Sequence, residues 1–183
     1  MTSIFIALLL GLLSGTFLTL MDRIDEHRVV ERHRTILAYL AAIATAASMA
    51  WSIEQFLVLY PFLFGLCVEW IIKDKIDFPS HVFFLFLLTL YFGWCINLLW
   101  LYAPYVALYL VVRYVSGTFL RRRLGETPGF FRWYYASYWE KFVCSIVLAV
   151  ALSSLSVVIY AAGFAVASLY TKRLLPEKEG CHA

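Results

Sequence analysis

Nine side chains of the kind that hold divalent cations fall in two short stretches of the sequence. Asp22, Asp25, His27, Glu31 and His33 lie in the first; Glu69, Asp74, Asp77 and His81 lie in and around the second. Carboxylates and imidazoles mixed in this way are the ligand set of Zn²⁺, Mn²⁺ or Mg²⁺. A metal there would polarise a phosphoryl or acyl oxygen and acidify a water for attack. The candidate ligands are Asp22, Asp25, His27, His33, Glu69 and Asp74. A helical continuation puts Asp22, Asp25 and Glu26 within one turn of each other and leaves His33 nearly two turns past Glu26, so the spacing permits a site without demanding one. The competing reading is a solvated loop whose acids pair with Arg23, Arg28, Arg32 and Arg34 three or four residues away.

Four arginines are candidates for binding a substrate or a lipid phosphate. Arg121, Arg122 and Arg123 form a triplet, and Arg113 lies about eight residues, or roughly 12 Å of helix, before it inside an apolar run. A charge at that depth costs a few kcal/mol unless it is paired or reaches the surface. Arg113 either binds substrate in a cavity open to the cytoplasm, or pairs with Glu69, the nearest acid by depth, or snorkels toward the surface. Asn97 reads as an interhelical hydrogen bond.

The elements that carry these residues are set by composition. Apolar residues make up 63% of the 183 positions and charged ones only 15%, far from the half and quarter of soluble domains. The expected fold is an all-α integral membrane protein: one transmembrane domain over residues 1–183, a bundle of about six transmembrane helices. Ser3 to Met21 is an uncharged run long enough to cross a bilayer core of roughly 30 Å, and it reads as a retained anchor span. Thr35 to Ile72 reads as a hairpin turning at Ser52 to Gln55, with its two spans side by side. A second hairpin, Val82 to Tyr102 and Tyr105 to Leu120, breaks at Ala103-Pro104, because proline lacks a donor and clashes with the preceding turn. Phe130 to Lys141 mixes aromatic rings with charges and reads as an interfacial helix before the last span. Phe142 to Tyr170 is expected as one long, tilted helix, against a hairpin turning near Ser153-Ser154 or Ser156.

Charge placement orients the bundle. With the N-terminus outside, Arg23, Arg28, Arg32, Arg34, Lys73, Lys75, Arg121 to Arg123, Arg132 and Lys141 all face the cytoplasm, eleven of fifteen basic residues. A single last helix then leaves Lys172 and Arg173 on the wrong side. The expected location is the cell membrane, multi-pass, with the charged loops cytoplasmic. The net charge of +3 is a matter of topology and not of nucleic-acid binding. Cys67, Cys95 and Cys144 sit in apolar runs as small packing residues, and Cys181 lies near the end of the chain.

Asp22-x-x-Asp25-x-His27, then His33-Arg34-Thr35, then Gly65-x-x-x-Glu69-x-x-x-Lys73-Asp74 before Pro79 resemble, in order and rough spacing, the membrane-associated metal-dependent hydrolase (YdjM-like) family over residues 10–80. The resemblance implies a metal-dependent hydrolase at the cytoplasmic face acting on a lipid-like or phosphate-bearing substrate. The sequence departs from the pattern where Ala38, Glu69 and Lys73 replace expected His, His and Asp, and where Asp74 falls one residue late. A metal site is therefore either rebuilt with Glu69 and Asp74 or lost.

Other membrane chemistries are excluded by residue type. No histidine lies within a span to hold a haem, no lysine lies mid-membrane for a Schiff base, and no G-x-S-x-G nucleophile is present. No ring of acids lines a span as a channel requires. Two functions stand. The first is a non-catalytic membrane subunit packing in a larger assembly or transporter, with the lipid bilayer and other membrane proteins or its own copies as partners. The second is the metal-dependent hydrolase, active or vestigial.

Overall fold

The computed structural model describes residues 2–25, 33–72, 78–124 and 140–175, with the side chains of 72, 117–124 and 140 excepted. All regular structure among them is helical. The helices are α1 (Thr2–Asp25), α2 (Arg34–Gln55), α3 (Tyr60–Ile72), α4 (Pro79–Trp94), α5 (Ile96–Leu124), α6 (Glu140–Ala151) and α7 (Ser156–Leu174), with a single 3-10 turn at Leu57–Leu59 before α3. Four of them, α1, α2, α5 over Ile96–Ser116 and α7, are long and apolar enough to cross a membrane; α3, α4 and α6 are apolar and shorter.

Three expectations about connections change. Pro104 does not break a hairpin; it lies inside α5, and the chain turns instead at Cys95 (φ −96°, ψ 28°). Proline removes one backbone bond, the one its nitrogen would give to the Trp100 carbonyl, and an apolar helix absorbs that loss when every other backbone group is paired within the helix. Asn97 therefore falls in the first turn of α5, where it is exposed.

Residues 142–170 are not one helix. The Ser154 N–H donates to the Ala149 carbonyl (2.9 Å) and the Ser153 N–H to the Val150 carbonyl (3.2 Å), while Ser153 takes a left-handed conformation (φ 50°). This is the paired-bond helix stop that glycine usually occupies; α7 begins two residues later and runs back along α6.

The first connection is also displaced. α2 runs through Gln55 and turns at Phe56 (φ −141°, ψ 89°), and α3 does not then lie beside α2. It lies beside α5, while α2 packs against α1 and α4.

Matching residues fix the directions. Ser14 meets Ser48 and Asp25 meets Arg34, so α1 and α2 are antiparallel. Tyr39 meets Phe83, near the starts of α2 and α4. Tyr60 meets Tyr102 and Glu69 meets Arg113, which makes α3 and α5 parallel.

The closest helix pair joins the first and last of the described helices. A methyl group on Gly11 would stand 2.2 Å from the Tyr160 carbonyl oxygen, one on Gly15 2.3 Å from that of Phe164, and one on Gly163 2.6 Å from that of Leu8. Positions therefore advance together, so α1 and α7 are parallel and in backbone contact. Gly11-Leu12-Leu13-Ser14-Gly15 is the small-xxx-small spacing that permits such approach. Around this seam Ser14 donates to Ser48 Oγ (3.0 Å) and Ser168 to the Gly15 carbonyl (3.3 Å). The buried core continues through Met21, Met49, Ile53, Leu63, Phe84, Leu88 and Leu148.

Candidate functional site

Two clusters of charged side chains stand out among the described residues. The first joins α3 to α5. Gly65 and Glu69 are one turn apart on α3, and Tyr109 and Arg113 are one turn apart on α5. The Tyr109 ring lies so close over Gly65 that an added methyl would meet it at 2.4 Å. From that notch its hydroxyl donates to Glu69 Oε2 (3.1 Å). Arg113 grips the same carboxylate with two parallel bonds, Nε to Oε2 at 2.8 Å and Nη2 to Oε1 at 2.7 Å. The two charged side chains are only 11% and 7% exposed. Planar fork against planar carboxylate is the strongest geometry such a pair adopts. Cys144, on α6, closes the group with its sulfur 3.8 Å from the Tyr109 carbonyl.

The second group lies where α1 ends and α2 and α4 begin. Asp22 and Asp25 close α1, whose C-terminal end carries partial negative charge, so both need compensation. Arg34, at the start of α2, supplies part of it. It donates to the carbonyls of Ile24 (Nε, 3.2 Å) and Asp25, and its Nε stands 3.8 Å from the Asp25 carboxylate. The N-terminal end of α4 supplies more, with Pro79 in its first turn and favourable to anions. Ser80 Oγ donates to Asp25 Oδ2, and His81 Nε2 lies 3.2 Å from Asp22 Oδ1. The buried His81 ring is held edge-on to Trp70 (5.8 Å) and Phe78 (5.5 Å).

The two sequence stretches thus meet, through residues other than those expected. Asp22 and Asp25 do approach the segment before α4, but they contact Ser80 and His81. Glu69 serves Arg113 and Tyr109. His33 is exposed, in a left-handed conformation (φ 57°) with no side-chain cap. His27 and Asp74 lie outside the described residues, as do residues 130–139 of the expected interfacial helix. The backbone of Arg121 to Arg123 continues α5, and their side chains are not among those described. Among the described residues no group of three or more His, Cys, Asp or Glu side chains is arranged to hold a metal ion.

Ser80 and Cys144 were not foreseen in these groups, and neither was Tyr109. Its signal was available: a tyrosine four residues before a buried arginine, opposite a glycine four residues before a buried glutamate.

Comparison with known proteins adds no assignment: no family model, curated protein or solved structure matches the chain.

Proposed function

We propose that the chain is a non-catalytic, multi-pass membrane subunit that packs in a larger membrane assembly or transporter. The observation that carries this reading is the outer face of α5. Only 11% of its most apolar stretch is buried, against 44–50% for the other three long apolar helices. Trp100, Leu101, Val111, Tyr114 and Val115 are exposed along it, a continuous apolar surface suited to lipid and to a partner helix. The polar groups described above are occupied with one another, holding helices together, which suits a packing role better than catalysis. The metal-dependent hydrolase would need His27 and Asp74 to complete its ligand set.

In this reading the seven described helices alternate in direction within the bilayer, with α3, α4 and α6 shorter than the core that the other four can cross, and residues 142–170 supply two helices where one was expected. The N-terminus is outside and the charged ends are cytoplasmic. Two features support that orientation. Parallel packing of α7 on α1 brings Lys172 and Arg173 to the same end as Arg23, which removes the conflict a single last helix creates. Trp51, Trp94 and Trp100 are exposed at the opposite end, at 52%, 90% and 79%, as tryptophans at a headgroup layer are.

Photo-crosslinking residues placed at Leu101 and Val111 in native membranes test the assembly role. A discrete protein adduct at both is expected; adducts to lipid alone would overturn it. Elemental analysis of the detergent-purified protein separates the rival, since one Zn or Mn per chain would favour the hydrolase.

A further inference from the structure

We propose that α5 is a releasable helix, latched to the bundle by Glu69 with Arg113 and Tyr109, and hinged at the Gly93–Cys95 joint. The proposal rests on the bilayer placement above and not on the assembly role.

Four observations converge on it. First, α5 joins α4 through a single non-helical residue, Cys95. The preceding Gly93 has open space where a side chain would begin, with no atom within 4 Å. Beyond this joint α5 barely approaches α4; its contacts run along α3 and α6.

Second, along Ile96–Ser116 only Val106 and Tyr109 are fully buried. In a bilayer, separating apolar helix faces costs little, because lipid replaces the lost contacts.

Third, among the described residues the hydrogen bonds that tie α5 to α3 cluster in one place. Glu69 accepts three bonds from α5, two from Arg113 and one from Tyr109, in a surround where both charges need each other. A contact of this kind is either fully made or fully broken, which is the property a latch requires.

Fourth, four of the other helices, α1, α2, α4 and α7, have fastenings of their own. α1 and α7 are in backbone contact through Gly11, Gly15 and Gly163. The ends of α1, α2 and α4 are tied through Arg34, Asp25, Ser80, Asp22 and His81. Opening the Glu69 latch frees α5 and leaves that body intact.

Spin-label distances in the full-length protein in lipid nanodiscs test this, with the four native cysteines replaced by alanine. One label pair spans body and α5, at Ile36 and Val115; a reference pair lies within the body, at Ile36 and Tyr170. All three positions are exposed. Glu69→Gln keeps the size and hydrogen-bonding capacity of the side chain and removes its charge. It is expected to shift or broaden the Ile36–Val115 distribution by about 5 Å, the scale of a one-turn displacement, with the reference pair unchanged. The exchanged pair, Glu69→Arg with Arg113→Glu, is expected to return the parent distribution. If both distances stay at parent values, the pair is a static fastening and the proposal fails. If both broaden together, the residues support the whole bundle and it fails likewise. Should Glu69→Gln not yield folded protein, Tyr109→Phe removes one of the three bonds and is read by the same criteria, with a smaller shift expected. Depth quenching by brominated lipids, measured on the same samples, reports separately whether the bilayer placement holds.

Discussion

Adding one methyl group at Gly11 is expected to be far more damaging than adding one at Gly93, although both substitutions are glycine to alanine within a helix. At Gly11 the new carbon would stand 2.2 Å from the Tyr160 carbonyl oxygen and 3.0 Å from the carbonyl carbon. Both atoms are backbone, so no side chain can swing aside. Restoring an ordinary carbon–oxygen contact requires the α1 and α7 backbones to part by roughly 1 Å, and the neighbouring approaches at Gly15 and Gly163 loosen with them. Overpacking of this kind costs about 1–3 kcal/mol. Alanine's better helix propensity returns up to about 1 kcal/mol in both variants, which is why the Gly93 control is needed. There a methyl meets nothing within 4 Å, and the same propensity gain acts alone. The assay is thermal unfolding of the purified protein in one detergent, followed by circular dichroism or intrinsic fluorescence. On the scale of about 2–4 °C per kcal/mol for a chain of this size, Gly11→Ala lowers the midpoint by several degrees and Gly93→Ala leaves it unchanged or raises it. Equal midpoints for the two variants would refute the close approach of α1 and α7.

Replacing Glu69 alone by leucine strands a buried guanidinium and is expected to cost about 3–5 kcal/mol, while replacing Glu69 and Arg113 together recovers most of it; equilibrium unfolding of the two single variants and the double variant measures the coupling. Ser153→Gly relieves the left-handed strain at the α6–α7 turn and is expected to stabilise by about 1 kcal/mol, seen as a raised midpoint. Arg34→Ala removes the cap on the last carbonyls of α1 and the counter-charge of Asp25, with an expected loss of about 1 kcal/mol, and added salt should shrink the difference from the parent.

The helical character of the chain and the polar ends of its helices were legible because composition and charge spacing report them directly. The tie between Glu69 and Arg113 was also legible, since depth along each helix leaves few acids within reach of a buried arginine. Pro104 misled because the usual rule weighs the donor that proline lacks and neglects how well an apolar surround preserves the remaining bonds. The actual turn at Cys95 carries no polar or proline signal. The turn at Ser153 stood as the alternative and was not preferred, because glycine normally takes that helix-stop conformation; the two backbone bonds around it decide for the turn. The close pairing of α1 with α7 depends on three glycines spread across the chain. Their spacing is visible, but which helix they face is decided by the whole bundle. The metal reading grouped acids and histidines by the membrane face they share, whereas the individual contacts depend on which helix ends abut.

The parallel seam between α1 and α7 also bears on how the molecule is made. α1 emerges from the ribosome long before its tightest neighbour, α7; Ser168 and Gly15, bonded in the finished protein, are 153 positions apart. Through most of synthesis the Gly11 and Gly15 face of α1 is without the surface that fits it, and such a face is sticky toward any other small-residue helix. α2 can join α1 early, through Ser14 and Ser48, and a helical pair of that kind forms quickly because its contacts are local. Closure by α7 is the slow, late event. A nascent chain stalled before Ser156 would present an unsatisfied glycine face to the membrane, where insertion factors or wrong neighbours compete for it.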